Sequence, residues 1–376
     1  MAVAHDAAGS DHAHPKPAGF AAHLTPYHAL KEVDGAVRFQ AAELVRLGQS
    51  ILEAVGTPED LASVVAASLV DANLAGHDSH GVIRLTSYVA NVRSGQVQPE
   101  ARAQVESLGG ACARVDGGWG WGQPAAHLAA DTAADLARAQ GVGLVTIARS
   151  NHIGRLGEYV EKLSRAGLMS LMTCNARSAV APYGGYTRLL GTNPIAWGAP
   201  EEGGRPPIVV DFATAAIAEG KLKVAHSAGD KAPPGAVVDK DGRPTTETAA
   251  FYDGGALTTF GGHKGFGLSV MAELMGGVLS GTGASSVPGY NNGNGTMLMA
   301  IEVGRFVPAA DFMKQAHAFA EILHSSPRAP GFDEILTPGE PEWRSRKRRT
   351  EEGIPIPDAT RRAINELARE LGAGEI

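Results

Sequence analysis

The sequence predicts a mixed α/β fold in which a strand-rich middle is inserted between helical ends that pack together. Apolar residues recur at helical spacing near both ends of the chain, whereas short apolar runs bounded by turn residues fill the middle. At 376 residues, with 44% hydrophobic and 19% charged residues, the chain is long enough to bury a substantial core.

The N-terminal part is predicted to be helical. Apolar residues recur at helical spacing over residues 58–75, between Thr57 as a capping residue and Gly76 as the stop. Another helix is predicted over residues 37–54. Together these elements predict a helical segment before the first strands.

The middle alternates between strands and helices, and the end of the chain is helical again. A helix over residues 124–140 precedes the strands, and an apolar helix is predicted over residues 264–279. The last helices are predicted over residues 309–324 and 358–371, the second capped by Asp358. The predicted strands are residues 143–147, 168–174, 194–198, 208–210 and 296–303.

We expect four segments along the chain. These are a disordered tail (1–30), an N-terminal helical segment (31–110), a sheet domain (111–307) and a C-terminal helical segment (308–376) that packs on the first. The tail has no long apolar run followed by a cleavage site, so we expect no secretory signal. No stretch approaches 18 consecutive apolar residues, and we expect no membrane span.

Net charge and cysteine content limit the possible binding partners, metal sites and cellular location. A net charge of −7 argues against nucleic acid as the main partner, and the basic run at residues 344–349 is interpreted as a solvated helix face. Cys112 and Cys174 have neither metal-ligand spacing nor a disulfide framework around them. We therefore expect a reducing, cytoplasmic location and no metal.

The most informative residues are His80 and Arg84, in the run Ser79-His80-Gly81-Val82-Ile83-Arg84. If this run is helical, both side chains lie on one face, one turn apart. An imidazole exchanges a proton near neutral pH, and a guanidinium binds a carboxylate through two hydrogen bonds. The pair suits a 2-oxo or 2-hydroxy acid; a helix-capping turn with two surface polar residues is the alternative.

Two more candidate sites follow predicted strands. His152 is an acid/base or substrate-orienting candidate and Arg155 an anion-binding candidate, although His152 is equally well interpreted as a loop residue bonded to backbone. Asp211 follows an apolar strand. It suits the orientation of a histidine or the binding of ribose hydroxyls, and also the capping of a helical segment that ends at Gly220.

A glycine-rich run, Gly261-Gly262-His263-Lys264-Gly265, opens the predicted apolar helix. Glycines allow close backbone approach, and a helix N-terminus with Lys264 beside it suits a pyrophosphate; a turn with a solvent-facing lysine is the alternative. The usual fingerprints of Rossmann dehydrogenases, phosphate-loop NTPases, zincins and α/β-hydrolases are missing.

Several colinear motifs resemble the malate/L-lactate dehydrogenase family, whose NAD(P)-binding fold is not a Rossmann fold. They span about residues 37–371. They are AGHDSHGVIR from Ala75, SNHIGRLGEY from Ser150, APYGG from Ala181, LGTNPIAWGAP from Leu190, VVDFATAAIAEGK from Val209, PPGAVVDKDGRPTTE from Pro233, GGHKGFGLSVMAELMGGVLSG from Gly261 and PGEPEWRSRKRRTEEGIPI from Pro338.

The resemblance implies a role for each matching residue, a homodimer, and NAD or NADP as cofactor without a metal. His80, His152 and Asp211 match catalytic positions, and Ser79, Arg84 and Arg155 match substrate-binding ones. The implied cofactor contacts are His80, Gly154, Arg155, Leu156, Val209, Val210, Asp211, Phe212, Ala213, His263, Lys264, Asn294, Thr337, Pro338, Gly339 and Glu340.

The function expected from these residues is reversible hydride transfer between NAD(P)H and C2 of a small 2-oxo acid. His80 donates the proton, and Arg84 or Arg155 pairs with the carboxylate. Two alternatives stay open: a non-catalytic dinucleotide-binding protein, and a metal-dependent hydrolase or lyase that uses His77, His80, His152 and His263.

Overall fold

The computed structural model describes residues 36–202 and 205–376, so the predicted tail lies outside the described residues. The α-helices are α1 (Ala41–Ala54), α2 (Glu59–Leu74), α3 (Arg84–Arg93), α4 (Gly122–Gln140), α5 (Leu156–Arg165), α6 (Glu219–Ala228), α7 (Thr248–Tyr252), α8 (His263–Ala272), α9 (Ala309–His324), α10 (Glu340–Glu352) and α11 (Asp358–Leu371). The strands are β1 (Val37–Phe39), β2 (Gln104–Gly109), β3 (Cys112–Asp116), β4 (Val142–Ala148), β5 (Leu168–Cys174), β6 (Pro194–Ala199), β7 (Ile208–Ala213), β8 (Val237–Val238), β9 (Pro244–Thr245), β10 (Ala256–Leu257), β11 (Thr296–Glu302) and β12 (Ile354–Ile356).

A seven-stranded mixed sheet forms the middle of the molecule, in the order β2-β3-β4-β11-β5-β6-β7. Only β3 and β4 pair in parallel; the other neighbours are antiparallel. The alanine face of α4 packs closely on the sheet, because small side chains let the helix backbone approach. A Cβ on Gly143 of β4 would lie 2.8 Å from the Cβ of Leu136. The order and pairing of the strands confirm the predicted mixed sheet.

The two ends of the chain share one core, as the sequence predicted. Strand β1 pairs antiparallel with β12, joining Val37 to Ile356. Leu52 of α1, Leu69 of α2 and Ile364 of α11 are buried in the same apolar cluster. Helical ends thus pack together around the inserted sheet, while the exact boundaries of the four predicted segments stay predictions.

One predicted helix start and two predicted helix caps were wrong. Residues 37–39 form β1 instead of helix, and α1 begins only after Gln40, whose N–H donates to the Glu43 carboxylate at 2.8 Å. Thr57 does not cap α2. Its hydroxyl accepts from the Trp121 indole at 3.2 Å, and Pro58 occupies the cap position. Likewise Pro357 precedes α11, so Asp358 is its first helical residue.

The predicted helix over residues 264–279 is divided by a change of helical form. Helix α8 ends at Ala272 and continues as π-helix over Glu273–Val278. Near it, a small sheet of β10, β8 and β9 covers a separate apolar cluster that includes Leu222 and Phe251. Of the helices in the described ranges, none is long and apolar enough to cross a membrane.

Candidate active site

His80 lies at the end of a short 3-10 turn, Asp78–His80, and Arg84 begins α3. The expectation of one helix carrying both residues is therefore wrong, because Gly81 adopts an extended conformation between them. Arg84 nevertheless returns to the turn, since its Nε donates to the Ser79 carbonyl oxygen at 2.7 Å. The Ser79 hydroxyl lies 3.1 Å from His80 Nδ1. Imidazole and guanidinium are thus neighbours by a different route from the predicted one.

The His80 turn is held by three residues that we name the Asn73–Asp78–Arg349 clamp. The Asn73 carboxamide accepts from the Val82 N–H at 2.9 Å and donates to Asp78 Oδ1 at 2.6 Å. Arg349 of α10 donates to both Asp78 oxygens, at 2.7 and 3.1 Å, and is itself only 2% exposed. A buried, bidentate guanidinium fixes orientation as well as charge. The C-terminal segment therefore holds the turn that carries His80.

Gly81 is required by close approach to this clamp. A Cβ at that position would overlap with three carboxamide atoms of Asn73. Its φ is −85° and its ψ −156°, which other residues adopt, so backbone strain is not the reason. The glycine is there because the Asn73 side chain occupies the space.

His152 reaches the same place from the loop between β4 and α5. Its ring lies 5.4 Å from that of His80, centroid to centroid, with 27° between the planes. The loop is held by the Asn151 side chain, which donates to the carbonyl oxygens of Trp119 at 2.8 Å and Gly120 at 3.0 Å. A Cβ on Gly122 would overlap with the carbonyl group of His152, so glycine there lets the loop approach. The two histidines form a stacked pair.

A tyrosine and a glutamine lie behind His152. Tyr88 Oη of α3 is 2.8 Å from His152 Nδ1, and the Gly154 N–H also donates to Nδ1, at 3.3 Å. Gln123 Nε2 in turn donates to Tyr88 Oη at 2.7 Å. Burial raises the pKa of Tyr88 to about 12, so its hydroxyl is protonated at neutral pH.

Both histidines of the pair are neutral in the free protein. Burial lowers the pKa of His80 well below its usual value, and the neighbouring His152 and Arg84 add to the effect. Burial also lowers the pKa of His152 to about 3, with Arg84 contributing. A buried imidazole beside a guanidinium resists protonation, since both surroundings disfavour a second positive charge. Both rings are therefore held as neutral imidazoles, and an anion bound beside Arg84 would weaken the effect of its charge on them.

Arg155 is engaged with the protein's own carboxylates. Its guanidinium is 3% exposed and lies 3.2 Å from Asp71 Oδ2 and 3.7 Å from Glu161 Oε2. Arg346 of α10 also binds Asp71. Burial opposes the ionisation of Asp71, but Arg346 and Arg155 outweigh it and hold the pKa of that carboxyl below its usual range. Arg155 thus joins α2 to α5.

Asp211 lies inside β7, opposite Ala196, and not at the start of a helix. The interpretation of Asp211 as a helix cap is therefore wrong, because the next helix, α6, begins at Glu219. Its Oδ2 accepts instead from the Gly157 N–H at 2.7 Å, in the first turn of α5. Burial raises the pKa of Asp211, and Arg155 and His77 partly offset this.

Turns implied as cofactor contacts lie along β7. The Val209 N–H donates to the Pro338 carbonyl oxygen at 3.0 Å, and a Cβ on Gly339 would lie 3.0 Å from the Val209 nitrogen. Glu340 Oε2 accepts from the Thr337 N–H at 2.8 Å, which closes that turn. The segment Gly154 to Leu156 reaches the same strand through Asp211. We name this set of turns the β7 strip; its remaining strand residues are Val210, Phe212 and Ala213.

The glycine-rich run lies at the far end of the β7 strip. Phe260 packs on Phe212 with ring centroids 5.3 Å apart, and its N–H donates to the Thr214 carbonyl oxygen at 3.0 Å. Gly261 and Gly262 have φ of +57° and +62°, a left-handed conformation that favours glycine. His263 and Lys264 then open α8, and the His263 ring lies 6.0 Å from Tyr183. His263 therefore does not join the histidine pair.

Asn294 and His77 border the site from two other sides. The Asn294 N–H donates to the Ser150 carbonyl oxygen at 2.8 Å, beside the His152 loop. His77 Nε2 lies 3.3 Å from Glu342 Oε1. Within residues 36–202 and 205–376, no three His, Cys, Asp or Glu side chains converge in a way that would hold a metal ion.

Sequence reasoning missed Asn73, Tyr88, Gln123 and Glu273, and the interpretation of residues 344–349 as a solvated helix face was wrong for Arg349, which is 2% exposed. Asn73 and Glu273 are polar residues in otherwise apolar helical runs, and this signal could have found them. Glu273 is buried and accepts from Asn193 and Asn175, both at 3.0 Å, so it holds two loops together. Tyr88 and Gln123 carry no comparable local signal, because an aromatic and a glutamine at helical positions are ordinary.

Known proteins resemble this chain over most of its length. The family model for malate/L-lactate dehydrogenase matches residues 39–365. The L-lactate dehydrogenase of Cupriavidus necator is 37% identical over 87% of this chain and 95% of its own length. Hydroxycarboxylate dehydrogenase B of Escherichia coli is 36% identical over 90% and 95%. The structure of malate dehydrogenase from Pyrococcus horikoshii superposes with a TM-score of 0.84, at 32% identity, over 92% of this chain and 98% of that one.

The fold and these comparisons define the protein as an oxidoreductase that acts on hydroxy acids. It belongs to the malate/L-lactate dehydrogenase family. Its likeness to hydroxycarboxylate dehydrogenase B, over most of both chains, agrees with the resemblance of its motifs.

Proposed function

We propose that this protein transfers hydride reversibly between a nicotinamide cofactor, NAD or NADP, and C2 of a small 2-oxo or 2-hydroxy acid. One observation carries the proposal: a stacked pair of neutral histidines, 5.4 Å apart, lies beside an arginine. Such a site offers a proton-transfer group and a carboxylate-binding group side by side. Both are needed when a ketone next to a carboxylate becomes an alcohol.

His80 is assigned the proton transfer. In the reducing direction it gives a proton to the oxygen at C2, and in the oxidising direction it takes that proton back. The Ser79 hydroxyl, 3.1 Å from His80 Nδ1, orients the ring from within the turn. The two directions need the protonated and the neutral imidazole in turn, so the lowered pKa of His80 must rise when the substrate binds.

Arg84 is assigned the substrate carboxylate. Its Nε is held by the Ser79 carbonyl oxygen at 2.7 Å, which keeps the guanidinium beside His80. Arg155 is the weaker candidate, since Asp71 and Glu161 already neutralise its charge inside the protein. The carboxylate of the substrate would also offset the positive charge that now lowers the pKa of His80. Anionic substrate and proton would therefore enter together.

The β7 strip fits a dinucleotide. The first turn of α8 contains Lys264 and no acidic residue, and two left-handed glycines precede it, which together suit a phosphate. Gly339, where a Cβ would crowd Val209, lets the turn at residues 337–340 pack closely on β7. When bound, the nicotinamide supplies the hydride that C2 accepts. We assign Asp211 a positioning role, because its carboxylate holds the first turn of α5 against β7.

A homodimer is part of the proposal. Large apolar side chains around α9 are exposed, including Phe306 at 70%, Phe319 at 58% and Ile322 at 65%. Exposed apolar patches of this kind mark association surfaces. Light scattering is expected to give about twice the 38.9 kDa chain mass; the mass of a single chain would remove the dimer from the proposal.

The test of the proposed function is a substrate panel. Loss of NADH and of NADPH absorbance is followed with 2-oxo acids bearing methyl, carboxymethyl and aromatic groups, with and without a chelator. Turnover of at least one acid, unchanged by the chelator, is expected. His80→Ala is expected to lower kcat far more than it weakens NADH binding. Cofactor binding without turnover of any acid would contradict the proposal, and loss of activity on chelation would favour a metal-dependent reaction.

A further inference from the structure

We propose that Tyr88 and Gln123 are positioning residues that hold His152 with its proton on Nε2, so that His152 donates a hydrogen bond to the substrate while His80 moves the proton. The inference rests on the proposed function for the identity of the substrate. The assignment of the His152 tautomer does not depend on the substrate, because it is argued from contacts within the free protein.

The backbone of the His152 loop favours an unprotonated Nδ1. The Gly154 N–H donates to His152 Nδ1 at 3.3 Å, and a backbone N–H has no acceptor capacity. Gly154 has a φ of +78°, and this left-handed turn directs its N–H back toward the ring. Because the contact is long, it favours the tautomer with the proton on Nε2 but does not fix it alone.

Tyr88 satisfies the same nitrogen from the other side. Its Oη lies 2.8 Å from His152 Nδ1 and accepts from Gln123 Nε2 at 2.7 Å. The oxygen of Tyr88 accepts from Gln123, and the Gly154 N–H favours an unprotonated Nδ1, so the hydroxyl proton of Tyr88 is directed at His152. Burial of Tyr88 keeps this hydroxyl protonated. The hydrogen bonds thus run in one direction, from Gln123 through Tyr88 to His152, and we name this chain of hydrogen bonds the relay.

The relay separates the roles of two similar rings. The groups that face His152 are Tyr88, the cationic Arg84 and the ring of His80. Two stacked imidazoles do not both carry a charge at this distance, because each disfavours the other. Two hydrogen bonds donated to Nδ1 keep His152 neutral and leave Nε2–H as a donor for the carbonyl or carboxylate oxygen of the substrate. The mobile proton is then left to His80.

The test is nitrogen NMR of the free protein, with histidine labelled in both ring nitrogens. The His152 signals are assigned by their loss in His152→Asn. In the unaltered protein, Nδ1 is expected to show the shift of an unprotonated ring nitrogen and Nε2 that of a protonated one. Tyr88→Phe is expected to give a mixture of tautomers and to lower kcat about three- to tenfold, the equivalent of one neutral hydrogen bond. The KM for the cofactor should not change.

Two further variants sharpen the test. Gln123→Glu replaces the amide donor with an acceptor, so the Tyr88 hydroxyl should turn to it and the His152 tautomer should shift as in Tyr88→Phe. Tyr159→Phe is the matched control. It loses another buried tyrosine hydroxyl, bonded to the Ile153 carbonyl oxygen of the same loop, and should leave the tautomer unchanged.

A proton on Nδ1 of His152 in the unaltered protein would overturn the inference, and this measurement needs only the assignment variant, His152→Asn, to fold. An unchanged tautomer in both Tyr88→Phe and Gln123→Glu would overturn the role of the relay. Because the spectra are recorded without substrate or cofactor, they are independent of the panel: absence of turnover with the expected tautomer would refute the proposed function alone.

Discussion

Replacing Gly81 with alanine tests how the His80 turn is built. The added Cβ would overlap with the Asn73 carboxamide, which must then rotate away. Rotation leaves the N–H of Val82, a residue 2% exposed, without its acceptor. Overpacking and one unpaired buried donor together cost about 2–4 kcal/mol in the free energy of unfolding. The same movement releases Asp78 and should displace His80.

The magnitude is best isolated in a double-mutant cycle with Asn73→Ala. That change alone removes the acceptor of the Val82 N–H and should cost about 1–3 kcal/mol. In the Asn73→Ala protein the carboxamide atoms that would overlap with the new Cβ are absent. Gly81→Ala should therefore lower the free energy of unfolding of that protein by less than about 1 kcal/mol. We therefore expect the two changes to be strongly non-additive, with a coupling free energy of about 1–3 kcal/mol.

The assay is urea unfolding of the four proteins, followed by fluorescence and circular dichroism, with kcat measured on each. Gly267→Ala is the control, because a Cβ on this helical glycine meets nothing within 4 Å and should be neutral or stabilising by up to about 1 kcal/mol. Additive effects of Gly81→Ala and Asn73→Ala would refute the reasoning. So would a Gly81→Ala enzyme with unchanged stability and kcat.

Three other predictions concern charge. Folding lowers the pKa of His152 to about 3, so between about pH 6.5 and 3 the unfolded chain binds a proton that the folded chain does not. The free energy of unfolding should therefore fall as the pH drops through this range, by up to about 1.4 kcal/mol per pH unit for this group. His152→Asn should flatten the dependence of stability on pH, measured by thermal unfolding. Lys264→Ala should raise the KM for the dinucleotide with little change in kcat, and an unchanged KM would remove Lys264 from the β7 strip. Arg155→Met should destabilise the protein by about 1–3 kcal/mol in urea unfolding, because Asp71 and Glu161 lose one cation and keep Arg346. Arg84→Met should raise the KM for the 2-oxo acid at nearly full stability. The reverse result, a raised KM in Arg155→Met and a loss of stability in Arg84→Met, would exchange the two assignments.

Periodicity in the sequence was sufficient to predict most of the fold. Regularly spaced apolar residues were enough to predict the central strands and four of the helices, α2, α4, α9 and α11. Strand β1 was interpreted as helix because it is only three residues long, and its partner β12 lies near the other end of the chain. Local pattern cannot reveal a pairing that depends on such a distant strand.

The site shows the same division between local and long-range information. Residue type alone singled out His80, His152 and Arg84, since few side chains perform acid–base and carboxylate chemistry. The geometry of the His80 turn was mistaken, because the reason for Gly81 is a side chain from another helix. The choice between Arg84 and Arg155 for the substrate carboxylate stayed open for a similar reason, because sequence spacing does not reveal Asp71, the partner of Arg155 on α2.

The Asn73–Asp78–Arg349 clamp also bears on how the protein is made. Arg349 and Asp78 are 271 positions apart, so the turn that carries His80 gains its anchor only after α10 has been synthesised and has docked. Contacts of such long sequence separation form late, since a long loop must close first. A chain interrupted before α10 would contain every proposed proton-transfer residue and still lack an ordered place for them. Competence for catalysis is thereby coupled to completion of the chain.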